Sequence, residues 1–143
     1  MSVKACNRDV SQMEFLKNAR DIEIYFIKMM VSRPKRYRVF YQKIIESSME
    51  ILNCLKRGNS IYVERREDIL LRTEQFKRAL AELQVLISQI EVIRYLFKDE
   101  GISANQIEEI SKMIDTETGL IKGLLKSDRT RYKNLLKEDA EEK

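Results

Sequence analysis

Apolar residues recur along this chain at steps of three and four, the spacing that puts side chains on one face of an α-helix. In "EFLKNARDIEIYFIKMMV", Phe15, Ala19, Ile22, Phe26 and Met29 or Met30 share such a face, which predicts a helix over about residues 9–31. Pro34 then stops this helix or starts the next, with a short turn expected over residues 31–35, Ser32 or Arg33 as the N-cap, and the proline where its missing N–H costs least. The second helix is expected over about residues 35–56, with Tyr37, Tyr41, Ile44, Ser48, Ile51 and Leu55 on its stripe. "RGNS" closes it, Gly58 or Asn59 being suited to a left-handed helix stop and Ser60 to the N-cap of a third helix. No Gly or Pro interrupts residues 61–98, and Ile69, Thr73, Phe76, Leu80, Leu83, Ile87 and Ile90 keep the helical step. That predicts a third helix roughly 55 Å long. Gly101 is its expected stop residue, and "SANQ" (Ser103 to Gln106) reads as a capping box for a fourth helix over about residues 104–127, with Ile107, Ile110, Ile114, Ile121 and Leu125 inward.

Connections this short make sequential helices antiparallel neighbours, so the expected fold is an all-α, up-down-up-down four-helix bundle over residues 1–127. Residues 128–143 form a charged C-terminal tail in which Tyr132, Leu135 and Leu136 offer one more turn for docking. Two stretches exceed what a lone bundle needs, about three apolar residues per heptad. "IYFIKMMV" is apolar at seven of eight positions, and "LQVLISQIEVIRYLF" has a second stripe at Leu86, Ile90, Ile93 and Phe97. Burial within one chain explains either stretch alone; the two together favour a subunit interface.

Composition agrees with long helices: 35% of the 143 residues are charged, with one Pro and four Gly. The net charge of +4 is unevenly distributed. Residues 28–78 hold 13 basic and 6 acidic side chains, whereas residues 79–143 hold 10 and 13. In "SRPKRYRVFYQKI", Arg33, Lys35, Arg36, Arg38 and Lys43 crowd a predicted helix start. Cations are disfavoured at a helix N-terminus, while its free N–H groups bind phosphate. Solvated decoration is one reading; a polyanion is the other, favoured because the next acid is Glu46. Phe40 and Tyr41 belong to the core rather than to base stacking, and Tyr37 suits either. Lys56, Arg57, Arg65 and Arg66 form a second cluster expected at the opposite end, with Arg72, Lys77 and Arg78 continuing a stripe between the two.

Catalytic chemistry finds little to use. With no histidine, the commonest general base and metal ligand is missing. No Gly-rich phosphate loop is present, "GLIKG" suits close helix approach, and the pairs Glu67–Asp68 and Glu108–Glu109 read as solvated faces. The expectation is a non-enzyme with no catalytic residue, cofactor or metal. Cys6 and Cys54 fit no metal or redox spacing, and no apolar run approaches a spanning helix, so a reduced, cytoplasmic setting is expected.

An aromatic first helix, "SRPKRYR", "YQKIIESSMEILNCL", the "GNS" break, "RTEQFKRALAELQVLISQIEVIRYL" and "ISANQIEEISKMIDTETGLIKGLLKS" together resemble a four-helix-bundle family. It comprises the accessory variability determinant (Avd) proteins of diversity-generating retroelements and the ribosomal-RNA intervening-sequence proteins. The likeness covers about residues 22–127. The Avd branch fits better, because "ESSMEILNC" does not reproduce the "IPANIAEG"-like segment of the other branch. The resemblance implies a homopentameric barrel whose positive surface binds RNA or DNA, and a reverse transcriptase partner served during mutagenic cDNA synthesis. It carries over to Arg33, Lys35, Arg36 and Arg38 first, and to Arg65, Arg66, Arg72 and Arg78 second. The competing reading is a structural oligomeric adaptor that binds a protein helix.

Overall fold

The computed structural model describes the backbone of residues 3–142 and the side chains of residues 14–142, so Cys6 lies outside the described side chains. Four long helices make up the chain: α1 (Val3–Ser32), α2 (Arg38–Ser60), α3 (Arg66–Phe97) and α4 (Ala104–Glu141). Each helix packs on its sequence neighbours and α1 also packs on α4, which closes a ring and leaves α1 and α3 on one diagonal. Side-chain pairs give the directions. Ser47 meets Gln89 and Arg57 meets Gln75 between α2 and α3, while Tyr25 meets Glu109 and Asn18 meets Glu117 between α1 and α4. As one partner advances the other recedes, so these neighbours are antiparallel. No described helix is long and apolar enough to cross a membrane.

The core is aromatic and aliphatic along its whole length. Phe15, Phe26, Tyr41, Phe76, Leu83 and Leu86 are fully buried, each contributing roughly 1.5–3 kcal/mol of transfer free energy. At one end Phe97 takes Tyr37 and Phe40 edge-on, with centroids 4.8 and 5.0 Å away. At the other, Phe15 meets Phe76 edge-on at 6.2 Å. Tyr37 and Tyr41 are therefore core residues and Phe40 is half-buried against them.

On α3, Ile69, Phe76, Leu83 and Ile90 are inside as expected, while the positions between them are each one residue from the expected ones. The buried residues of this helix are Ile69, Arg72, Phe76, Ala79, Leu83, Leu86, Ile90 and Ile93, while Thr73, Leu80 and Ile87 are only partly buried. Leu86, Ile90 and Ile93, expected at a subunit interface, are thus inside the chain. That arrangement leaves Val85, Val92, Tyr95 and Leu96 outside.

The helix ends differ from expectation in several places. "SANQ" is the capping box expected: Ser103 Oγ accepts from Gln106 N at 3.2 Å, and Gln106 Oε1 accepts from Ser103 N at 3.0 Å. Gly58 and Gly101 are not left-handed; the one positive φ among described non-glycine residues is Lys98. Gly58 is needed for space, since a Cβ there would stand 2.6 Å from Phe76 Cε1. The α2 helix continues to Ser60, Ile61 turns extended, and Val63 is buried in the crossing to α3. Asp68, not Ser60, caps α3: its carboxylate accepts from Arg65 N at 2.9 Å and Glu64 N at 3.0 Å, which pulls its pKa below the usual range. Gly119 and Gly123 face open space rather than a close helix. The expected tail is instead the last third of α4, an unbroken helix to Glu141.

Candidate nucleic-acid interface

Pro34 (φ −58°, ψ 150°) ends the first connection and opens a 3-10 turn, Lys35–Tyr37, rather than α2 itself. The turn carries no acid, so cations occupy the position where a helix favours anions. Arg33 is half-buried and structural: its Nη2 donates to Gln106 Oε1 at 2.7 Å, tying the turn to the α4 capping box. Its guanidinium also lies beside the buried Tyr41, whose hydroxyl donates to the Gly101 carbonyl; burial raises that phenol's pKa and Arg33 partly offsets the rise. Arg36 is exposed, stacks over the Tyr37 ring at 5.0 Å, and reaches Glu100 at 3.7 Å. Lys35, Arg38 and Lys43 are exposed and have no carboxylate within salt-bridge distance among the described residues.

The second cluster lies at the other end of α2, 23 residues and roughly 33 Å away along the helix. There the cations are mostly engaged. Arg57 donates to Glu50 at 2.8 Å and to Gln75 at 3.1 Å, which lowers the Glu50 pKa. Arg66 lies between Glu67 at 3.5 Å and Asp139 at 3.7 Å. Arg65 and Lys56 are exposed and unpaired among the described residues.

The stripe expected between the two ends loses Arg72 to the interior. Arg72 is 6% exposed, on the inward seam of α3, where its Nε donates to Asp128 Oδ2 at 3.1 Å and its guanidinium stacks 5.1 Å from the Phe76 ring. A guanidinium so enclosed cannot reach a phosphate. Arg78 is exposed but pairs with Glu74 one turn away at 3.5 Å. Lys77 alone of that group is exposed and unpaired among the described residues.

Other polar groups sit in the interior. Glu117 is fully buried; Asn18 Nδ2 donates to its Oε2 at 2.8 Å and to the Met113 carbonyl at 3.0 Å, while Oε1 has no partner. Burial pushes its pKa up to about 7. Cys54 is buried, and its thiol pKa is raised by that burial and by Glu50. Among the described residues no three Cys, Asp or Glu side chains converge as a metal site requires. Sequence reasoning missed Asp128 and Glu117 because each was one acid in a polar-looking helix. The available signal was their spacing, since Ile114, Glu117, Ile121 and Asp128 continue the inward face of α4. Comparison with protein-family models, with curated proteins and with solved structures gives no match.

Proposed function

We propose that the chain is a non-catalytic nucleic-acid-binding subunit that works as a homo-oligomer, engaging phosphodiester backbones through the cationic turn. The observation that carries this reading is Lys35, Arg38 and Lys43, exposed around one end of the bundle with no acid to answer them among the described residues. The turn beneath them is packed by Tyr37, Phe40 and Phe97, so docking a phosphate orders the cationic side chains without rearranging their backbone. Arg36 joins by exchanging its long contact with exposed Glu100 for a phosphate. Arg33 positions the turn, and Arg72 belongs to the core. The resemblance to Avd proteins supplies the rest of the proposal: a reverse transcriptase of a retroelement as protein partner, and a ring of five subunits.

The oligomer is supported by the apolar residues left outside the bundle. Ile24, Ile27 and Val31 face outward from α1, and Val85, Val92, Tyr95 and Leu96 from α3, on the opposite side of the ring of helices. Two unlike patches on opposite sides suit a head-to-tail contact, which closes into a ring where the rotation allows.

Binding is tested by fluorescence anisotropy on labelled RNA and DNA oligonucleotides. Affinity should fall steeply between about 50 and 200 mM salt. Replacing Lys35, Arg36 and Arg38 together by Ala should weaken binding to all sequences alike and flatten the log–log salt slope by about 2 to 3. A variant that binds like the parent with an unchanged slope refutes the assignment of this turn.

A further inference from the structure

Between Thr118 and Lys137 the chain has six basic residues and a single acid, Asp128. Asp128 is withdrawn from the surface, 5% exposed and paired with Arg72. Nothing acidic therefore faces solvent across that stretch of α4. Lys122, Lys126, Arg129, Lys133 and Lys137 follow at steps of four, three, four and four, so they share one face. All five are exposed, and none has a carboxylate within salt-bridge distance among the described residues. The row is about 22 Å long.

Like charges at this spacing oppose helix formation, by about 0.2–0.5 kcal/mol for each neighbouring pair. The helix persists because the rest of the fold holds it. Asp128 anchors it to Arg72, Asp139 lies 3.7 Å from Arg66, and Arg131 reaches the Val63 carbonyl at 3.4 Å. A repulsive row on a rigid support is relieved by a linear polyanion. Beside the row, a cleft of about 170 Å³ opens between α3 and α4. Leu70, Leu125 and Tyr132 give it apolar and aromatic walls, and Lys77 faces Arg129 across it. Cations along a backbone track with an aromatic wall beside them are the two components of single-strand recognition. A duplex, with its bases paired inside, would leave the cleft unused.

The geometry points to a single-stranded nucleic acid lying along the C-terminal half of α4, its phosphates on Lys126, Arg129 and Lys133 and a base turned into the cleft against Tyr132. This shares the ligand class of the proposed function but uses a different surface, at the end of the bundle away from Lys35 and Arg38. The test uses the full chain, a labelled single-stranded RNA, and a duplex of the same sequence. Three variants are compared: K126Q/R129Q/K133Q, Y132L and K35A/R36A/R38A, each checked for helix content by circular dichroism. The α4 triple variant should lose at least about ten-fold in affinity for the single strand and flatten its salt slope by about 2. Y132L should weaken the single strand at least about five-fold and leave the duplex unchanged. If the α4 variant binds the single strand like the parent, the inference falls, and a loss confined to K35A/R36A/R38A leaves the turn as the sole interface. If the α4 variant loses single strand and duplex equally while Y132L changes neither, the cleft does not read a base and the single-strand assignment is overturned. If the α4 variant alone loses binding, the inference stands and the turn assignment falls.

Discussion

A carboxylate without a counter-charge is the least comfortable residue in the bundle. Glu117 is sealed between α4 and α1 with one amide donor, Asn18, and an oxygen left without a partner. Burial raises its pKa from 4.5 to about 7, because desolvation penalises the ionised form more than Asn18 supports it. The folded state therefore holds a proton that the unfolded chain releases. Stability should fall as pH rises from about 4.5 to about 7 and level off above, by about 3 kcal/mol in all. Glu117→Gln presents the shape of the protonated acid with no charge to desolvate. It should cancel that fall, so that urea midpoints measured at pH 5 and pH 8 differ much less than in the parent. A variant whose pH dependence matches the parent's would place the titration elsewhere.

At the scale of the element, one buried ion pair anchors the last third of α4. Arg72 and Asp128 are 8% and 7% exposed at the side chain, and Arg72 also stacks over Phe76. Losing one partner of a buried pair leaves the other charged and enclosed, at a cost of about 3–5 kcal/mol. Asp128→Ala should therefore destabilise the chain by that order and speed amide exchange in residues 128–141. Replacing both by apolar residues, R72M with D128L, should recover most of the loss, and failure to recover would mean that the charges do more than hold the helices together. The same pair shows how far the sequence was legible. Periodicity located four helices and "SANQ" marked the start of α4, because both depend on local spacing and capping. On α3, Ile69, Phe76, Leu83 and Ile90 were legible, but the positions between them were not, because a charged residue at 72 argues against burial unless its partner 56 residues away is known to be inside. With Arg72 set outside, those positions moved to Thr73, Leu80 and Ile87, and Leu86 and Ile93 looked surplus. The cationic face of α4 was hidden by the same long-range pair: the second half is net acidic by count, but its acids lie elsewhere or are buried. At the turn, Lys35, Arg36 and Arg38 were legible because the proline and the charges sit in one short stretch.

For the whole molecule, the outward apolar patches are what the proposed ring would be built from. On α1 they are Ile24, Ile27 and Val31, the last 74% exposed; on α3 they are Val85, Val92, Tyr95 and Leu96, with Tyr95 85% exposed. A patch pairing with its own copy would give two-fold dimers, whereas α1 of one copy against α3 of the next gives a chain of contacts that closes into a ring. Mixing two variants separates these. Ile27→Asp removes the α1 patch and Val92→Asp the α3 patch, and both positions are exposed, so the bundle itself should fold. Under the head-to-tail arrangement each variant alone sediments as a monomer. Mixed in equal amounts they form one kind of dimer, because the intact α3 patch of the first meets the intact α1 patch of the second and no further contact remains. Under a two-fold arrangement, the variant with the unused patch removed keeps the parent's size and mixing creates nothing new. Sedimentation velocity at micromolar concentration distinguishes the outcomes, and a parent that sediments as a monomer would end the proposed ring outright. Because each added subunit brings another set of Lys35, Arg38 and α4 cations to the assembly, the dimer should also bind a long oligonucleotide more tightly than either variant alone.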